Sequence, residues 1–373
     1  MKYRKFGNTG QKISALGFGC MRLPEVEENG VWRIDEDKAI PMLHRAFELG
    51  VNYFDTAYGY CHGNSEYAVG KAIKGFRDKV MLSTKLPTWK VAARSDYRKL
   101  LEEQLKKLDT DHIDFYHFHA LNKTNYRNTV LKFNLLDEAA KAKSEGLIRH
   151  ISFSFHDKPE VMKEIIDSGA FESVLCQYNL LDRTNEEMIS YAAAKGLGVV
   201  IMGPVGGGRL SSESELITGM AASDSKSTPE IALKFVLGNP SVSSALSGMN
   251  MMAHVEENAR VASMDPGSFV QDHEQINRKS EEMKKLSELY CTGCNYCMPC
   301  PAGINIPHVF SLMNYHNVYG LTSHAKARFA KLGPESKEGH SPADCRECGI
   351  CETKCPQNIK IIEKLKETMV ALS

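Results

Sequence analysis

No run in the 373-residue chain approaches the roughly 18 consecutive apolar residues of a membrane span. Its start, Met1-Lys2-Tyr3-Arg4-Lys5, leads into no apolar signal-type segment. A cytoplasmic protein without a membrane partner is the expectation. Net charge is absent too, since 46 Lys plus Arg balance 46 Asp plus Glu; that removes the electrostatic case for nucleic acid and leaves a small molecule as the expected partner. Nor does a G-x-G-x-x-G follow the first strand-like segment, where Gly17-Phe18-Gly19-Cys20 stands instead, which argues against an open dinucleotide-binding sheet. Cysteine is sparse over most of the chain. Only Cys20, Cys61 and Cys176 precede residue 291, and the other eight of the eleven crowd into the last 83 residues. That asymmetry points to metal ligation in the tail rather than to a disulfide framework.

Hydrophobic residues make up 42% of the chain, enough for one large core domain and a small second one. Arg4-Lys5-Phe6 and Lys12-Ile13-Ser14 flank the turn residues Gly7-Asn8-Thr9-Gly10 and read as a hairpin able to plug one end of a barrel. A strand over Ala15 to Phe18 follows, and then a repeating helix-strand unit. Helices near 35–49, 65–74, 95–108, 130–145, 159–169, 186–195 and 228–237 alternate with strands at 51–55, 80–84, 113–118, 148–153, 174–177, 199–202 and 242–247. Glycines at 50, 146, 169 and 196 stop four of the helices, and Pro159 starts one. Eight strands separated by helices within about 250 residues predict an α/β fold closed as a (β/α)8 TIM barrel with an N-terminal hairpin.

Chemistry is expected where parallel strands end. Asp55 ends the second strand, Lys85 the third and His119 the fourth, while Tyr60 lies five residues beyond Asp55. Any one of these alone suits a solvated rim or a packed turn. Together they form a proton-donor set. A tyrosine, with an unperturbed pKa of about 10, is a poor acid near neutrality unless a cation favours the phenolate; Lys85 is placed to supply that field. Asp55 then holds Lys85 charged, and His119 donates to a carbonyl oxygen where negative charge develops.

The run Asp55-Thr56-Ala57-Tyr58-Gly59-Tyr60, the Thr84-Lys85 strand end and Tyr116-His117-Phe118-His119 resemble the aldo-keto reductase family. The tetrad of that family corresponds to Asp55, Tyr60, Lys85 and His119, and the resemblance spans roughly residues 1–265. It implies hydride transfer between NAD(H) or NADP(H), bound without a Rossmann domain, and a small carbonyl or alcohol, with Tyr60 as general acid in reduction. It also implies Ser154 and Gln177 as ligands of the nicotinamide carboxamide, with Phe155 where the family usually has Asn and Met202 where an aromatic residue commonly stacks. Gly206-Gly207-Gly208 is expected at the pyrophosphate, and Ser247, Gly248 and Asn258 at the adenosine end. The cations that grip a 2′-phosphate in many members are here Gly248 and His254, so NADP is not favoured over NAD by charge. Trp32, Trp89, Phe118 and Leu121 suit either a substrate pocket or the core.

From about Gln271 the chain changes character, with a polar helical stretch over 274–289 leading into Cys291, Cys294, Cys297 and Cys300, then Cys345, Cys348, Cys351 and Cys355. Cys-x2-Cys-x2-Cys with a fourth Cys before Pro is the thiolate pattern of two-cluster bacterial-type ferredoxins, where the fourth Cys ligates the other cluster. One [4Fe-4S] cluster is assigned Cys291, Cys294, Cys297 and Cys355, the other Cys345, Cys348, Cys351 and Cys300. Structural zinc is the alternative for Cys-x2-Cys pairs. The tail is thus expected to be a small α-helical, ferredoxin-like iron-sulfur domain with a helical insertion near 307–331. Its division is residues 1–270 for the barrel, 271–290 for a linker helix and 291–373 for the cluster domain. Two functions remain open: a carbonyl reductase whose clusters exchange electrons with a redox partner protein or sense redox state, and an electron-transfer protein whose barrel binds a nucleotide or partner without turnover.

Overall fold

The computed structural model describes residues 1–373 apart from 212, 222–224, 226, 289–290, 292–294, 296 and 356–357, and apart from the side chains of 209 and 280–288. Its strands are β1 (Tyr3–Lys5), β2 (Lys12–Ser14), β3 (Leu16–Gly19), β4 (Glu25–Glu28), β5 (Val31–Ile34), β6 (Tyr53–Asp55), β7 (Met81–Leu86), β8 (Ile113–Leu121), β9 (Ile148–Phe155), β10 (Ser173–Gln177), β11 (Gly198–Met202) and β12 (Ser244–Ser247). Eight of them close a barrel in the order β10-β11-β12-β3-β6-β7-β8-β9, every pair parallel. The eight expected strands are all present, as the (β/α)8 reading requires.

The helices between them form for local reasons. Glu36–Glu48 starts where the Asp35 side chain accepts from the Lys38 amide, with Glu36 and Asp37 in its first turn. Pro159 opens Pro159–Asp167 at a position where no amide is needed. The helix expected over 130–145 is divided: a π-helical stretch, Tyr126–Leu131, and an α-helix, Leu135–Ser144, meet at Asn134, which takes the left-handed conformation that asparagine tolerates.

β1 and β2 pair antiparallel, and the residue after β1, Phe6, fills the bottom of the barrel among Tyr53, Phe115, Leu175 and Val200. Its ring lies 4.6 Å from that of Phe115 and 5.9 Å from that of Tyr53. Gly198 makes room for it, because a Cβ there would stand 2.1 Å from the Phe6 ring. A second hairpin, β4 with β5, was not expected from the sequence.

The chain divides into two compact units, residues 1–207 with 232–270, and residues 208–231 with 271–373. Within the second, Ser214 Oγ donates to the Tyr319 carbonyl and Gln275 Nε2 to the Ala221 carbonyl, which tie the 208–231 segment in. Helices Ile306–Asn317 and Thr322–Phe329 occupy the expected insertion and, with Ile361–Leu372, enclose a core that includes Ile304, Val309, Leu312 and Leu365. Among the described residues no helix is long and apolar enough to cross a membrane.

Phe6→Ala should cost about 3–5 kcal/mol through the cavity it leaves. The urea midpoint of tryptophan fluorescence reads this selectively, because both tryptophans, Trp32 and Trp89, belong to the barrel unit; a loss below about 1 kcal/mol would mean that Phe6 does not plug the barrel.

Candidate functional site

Parallel strands of a closed barrel all end at one rim, so residues that terminate adjacent strands become neighbours. Asp55 closes β6 opposite Ser83 of β7, and Lys85 stands on β7 opposite His117 of β8. Asp55 and Lys85 are each only 1% exposed. Lys85 Nζ donates to Asp55 Oδ1 at 2.6 Å and to the Thr56 carbonyl at 2.7 Å, while Ser83 Oγ donates to Asp55 Oδ2 at 2.8 Å. A buried ion pair holds when its remaining hydrogen-bonding capacity is met, and here it is. Burial raises the Asp55 carboxyl against the pull of Lys85. Burial also pushes the Lys85 ammonium down, but Asp55 and Tyr60 outweigh it and hold its pKa above the usual lysine value.

Tyr60 opens a 3-10 turn, Tyr60–Gly63, in which Cys61 and His62 take left-handed backbone at φ 51° and 55°. Two successive non-glycine residues in that region mark strain that the surroundings hold in place. The turn sets the phenol over Lys85, whose Nζ lies 4.8 Å from the ring centroid and hydrogen-bonds with Tyr60. Lys85 pulls the phenol in the expected direction, toward the phenolate, but does not set the net shift. Burial is the larger effect and raises the Tyr60 pKa, and the pull of Lys85 only moderates it.

The His119 ring meets the Tyr60 ring edge-on at 6.1 Å. Burial, then Lys85 and His156, push its pKa down to about 3, so the imidazole is neutral at physiological pH and carries one proton to donate. Its Nδ1 is buried without a hydrogen-bond partner. A phenol, a cation and a neutral imidazole therefore converge where they can protonate and stabilise a developing alkoxide.

The indole of Trp89 lies 5.1 Å from His119, and that of Trp32 stacks on His62 at 5.8 Å; both are exposed. Phe118 and Leu121 are core residues, so of the four pocket candidates only the tryptophans reach the rim. Cys61 is buried and its thiol pushed up to about 11 by burial, as befits an inert packing residue.

Ser154, Gln177, Met202 and Ser247 follow one another around the other half of the rim on β9, β10, β11 and β12. The Ser154 hydroxyl accepts from the Ala120 amide at 2.7 Å. The Gln177 side-chain amide lies against Gly203, where a Cβ would stand 2.7 Å from Gln177 Oε1. Met202 is half-buried between Gln177 and Leu246 in the ladder. Asn258 is nearly buried and donates to Ser247 Oγ at 3.1 Å. Phe155 offers no aromatic surface to a ligand, since it is 1% exposed and packs edge-on against Phe153.

Gly206, Gly207 and Gly208 run through φ values of 60°, 67° and 96°, a path open to glycine alone. Arg22, three residues past β3, escaped the sequence reading. Its Nη2 donates to the Gly207 carbonyl at 3.2 Å, and a Cβ at Gly248 would stand 3.3 Å from its Cδ. A guanidinium thus lies across the exits of β11 and β12, beside the position where the expected cation is replaced by Gly248. Only its place just beyond a strand end could have signalled this.

In the second unit, Cys300, Cys345, Cys348 and Cys351 line one cavity together with Ala302, Ile306, Ile362 and Leu365. Glu347 and Gly349, at φ 51° and 71°, turn the backbone between the three closely spaced thiols. Cys291, Cys297 and Cys355 pack against the core of the same unit, and Cys294 lies outside the described residues. No three Cys, His, Asp or Glu side chains among the described residues converge on a point for a single ion. Four thiols spread around an apolar cavity suit a cuboidal cluster, whose ligands stand further apart.

Residues 15–278 match the family model described as the aldo/keto reductase family. The chain belongs to that family. Residues 290–361 match the 4Fe-4S dicluster domain. Similar proteins include the uncharacterized oxidoreductase YqkF of Bacillus subtilis (strain 168), 30% identical over 70% of this chain and 91% of its own. L-galactose dehydrogenase of Arabidopsis thaliana is 29% identical over 69% and 87%. Among solved structures, the holo form of aldo-keto reductase AKR11C1 from Bacillus halodurans superposes with a TM-score of 0.64 at 28% identity, covering 74% of this chain and 96% of that one.

For a carbonyl reduction by this member of the aldo/keto reductase family, the raised Tyr60 and depressed His119 values would set the pH profile. The rate of reduction should be level from about pH 6 to 9 and fall only above the ordinary tyrosine value of about 10. Stopped-flow reduction rates across that range test it, and a loss centred near pH 7 would show that an ordinary histidine, not this buried pair of donors, controls the step.

Proposed function

We propose that this chain reduces a small carbonyl compound, or oxidises the corresponding alcohol, with NAD(P)H, Tyr60 being the general acid. The convergence of Tyr60, Lys85, Asp55 and His119 at one rim of the barrel carries this reading. The nicotinamide, when bound, supplies two electrons and a hydrogen as hydride to the carbonyl carbon. Tyr60 gives its phenolic proton to the carbonyl oxygen as charge builds there, and Lys85 stabilises the phenolate left behind. Asp55 keeps Lys85 in place and charged, and the neutral His119 donates to the same oxygen and fixes its direction. In alcohol oxidation the proton returns along the same path. The name of the L-galactose dehydrogenase relative is consistent with that direction.

The rim supports a dinucleotide. Ser154 and Gln177 would hold the carboxamide, Met202 the ring face, Gly206, Gly207 and Gly208 the pyrophosphate, and Ser247, Gly248 and Asn258 the adenosine end. Arg22 supplies the cation that the β12 exit lacks. Arg22→Ala should weaken NADH and NADPH binding on the order of tenfold to a hundredfold, the worth of a charge-assisted hydrogen bond. Titration of nucleotide fluorescence reads it, and wild-type affinity in the variant would remove Arg22 from the site.

In the tail, two [4Fe-4S] clusters would be held by Cys291, Cys294, Cys297 and Cys355 and by Cys345, Cys348, Cys351 and Cys300, and such clusters carry electrons singly. Residues 291–373 form the cluster domain, 271–290 the linker and 1–270 the reductase domain. We read the cluster domain as serving a redox partner protein or sensing redox state, in a cytoplasm that keeps thiols reduced.

Tyr60→Phe in anaerobically purified protein tests the whole reading. Carbonyl turnover should drop by about a thousandfold or more, within the range that acid catalysis contributes, while about eight irons and eight sulfides per chain persist. Undiminished turnover would remove Tyr60 as the acid, absence of carbonyl turnover in the wild type would leave the electron-transfer alternative standing, and zinc without sulfide would remove the clusters.

A further inference from the structure

β8 pairs with β9 in regular register up to Phe118 opposite Phe153, but the next partners are Leu121 and Phe155. Three steps on one strand face two on the other. One extra residue is therefore inserted at His119-Ala120, a β-bulge in a parallel pair, where bulges are rare. Ala120 takes φ 53°, a left-handed conformation costly for alanine.

Regular alternation already places Phe115, His117 and His119 on the inner face of the barrel. The bulge then withdraws ladder hydrogen bonds from the backbone that carries His119. Side chains from three elements take them over. Thr88 Oγ1, in the turn after β7, donates to the His119 carbonyl at 3.1 Å. Ser154 Oγ on β9 accepts from the Ala120 amide at 2.7 Å. Asn125 Nδ2, in the helical turn after β8, donates to the Ala120 carbonyl at 2.9 Å. Asn125 is itself fixed, because its Oδ1 accepts from the Asn122 amide at 2.8 Å and its own amide donates to Asn122 Oδ1 at 2.9 Å. Thr88 and Ser154 are nearly fully buried.

We infer that Thr88, Asn125 and Ser154 are positioning residues that clamp the bulge and so set the direction of the His119 imidazole toward the reacting oxygen. The inference rests on the carbonyl-reduction reading for the role of His119, though not for the clamp itself. A bulge that could relax would let the ring swing by the distance that separates a productive hydrogen bond from none. Ser154 gains a second function. Its oxygen accepts from Ala120 while its own O–H remains to be donated to the carboxamide, so seating of the nucleotide and aim of His119 meet in one hydroxyl.

The test uses Thr88→Val, Thr88→Ser and Asn125→Ala in the full chain, which leave all four tetrad side chains unaltered. In Thr88→Val and Asn125→Ala, kcat should fall by about tenfold or more, with the dissociation constant for NADPH unchanged within about twofold; Thr88→Ser, which keeps the hydroxyl, should recover most of the rate. The 15N and 1H resonances of the His119 ring, assigned by comparison with His119→Asn, should shift in Thr88→Val and return in Thr88→Ser. Wild-type kcat in both disruptive variants, or equal losses in Thr88→Ser and Thr88→Val, would overturn the clamp. Should the wild type turn over no carbonyl, the functional reading fails by itself and the ring resonances still decide, with unmoved signals in Thr88→Val overturning the inference.

Discussion

The Asp55–Lys85 ion pair is the constraint around which the barrel is arranged. Two charges at 1% exposure are tolerated only with every remaining donor and acceptor met, and the polar groups around them follow from that demand. Thr56 and Ser83 complete the first layer. Behind β7, Gln104 Nε2 donates to the Lys85 carbonyl at 3.1 Å and to Glu66 Oε1 at 2.5 Å, Thr84 Oγ1 donates to that same carboxylate, and Tyr116 Oη donates to Gln104 Oε1. A hydrophobic barrel would need none of this. The polar seam runs through the wall because the rim needs a fixed cation, and it holds the backbone of Lys85 from outside while Asp55 holds its ammonium from inside.

Strands buried on both faces read as short apolar runs, so Leu16–Gly19 and Gly198–Met202 were legible in the sequence and so was the closed barrel. The tetrad was legible for a related reason, since Asp55, Lys85 and His119 lie within the last three residues of their strands and Tyr60 lies just past one. The β4–β5 hairpin was missed although its signal is present: Asn29-Gly30, both at positive φ, is the dipeptide that a two-residue hairpin turn demands. Arg22 was hidden for a different reason. Its meaning depends on Gly207 and Gly248, which lie about two hundred residues away in sequence and meet it only once the barrel closes. The sign of the Tyr60 shift was likewise out of reach, because it is a contest between burial and a neighbouring cation, and only packing says which is larger.

The two halves of the chain differ in how electrons move. A hydride carries two at once, and an iron-sulfur cluster passes one. A nicotinamide therefore cannot hand its electrons to a cluster without an intermediate carrier that splits the pair, and the tetrad is built for proton delivery to an oxygen, not for such splitting. That mismatch is why the proposed carbonyl chemistry is complete within the barrel unit, and why the cysteine-rich unit is read as facing a separate redox partner. In that unit Cys348 is exposed while Cys297 is part of the apolar core. A partner gains access to a cluster through its exposed ligand, and the buried ligand ties cluster assembly to folding of the domain.

Gly248, at the β12 exit, and the cation Arg22 occupy one neighbourhood. A guanidinium within hydrogen-bond reach is one good partner for a phosphate, and the strand that supplies it is immaterial, since all eight strands end at the same rim. Gly248 is what makes the exchange sterically consistent: a side chain there would meet Arg22 at 3.3 Å, so the glycine that removes one cation also makes space for the other. A lysine restored at 248 would compete with Arg22 for the same volume. In the proposed nucleotide site the positive charge is therefore carried by Arg22, just past the first barrel strand, and not by a residue at the exit of the last.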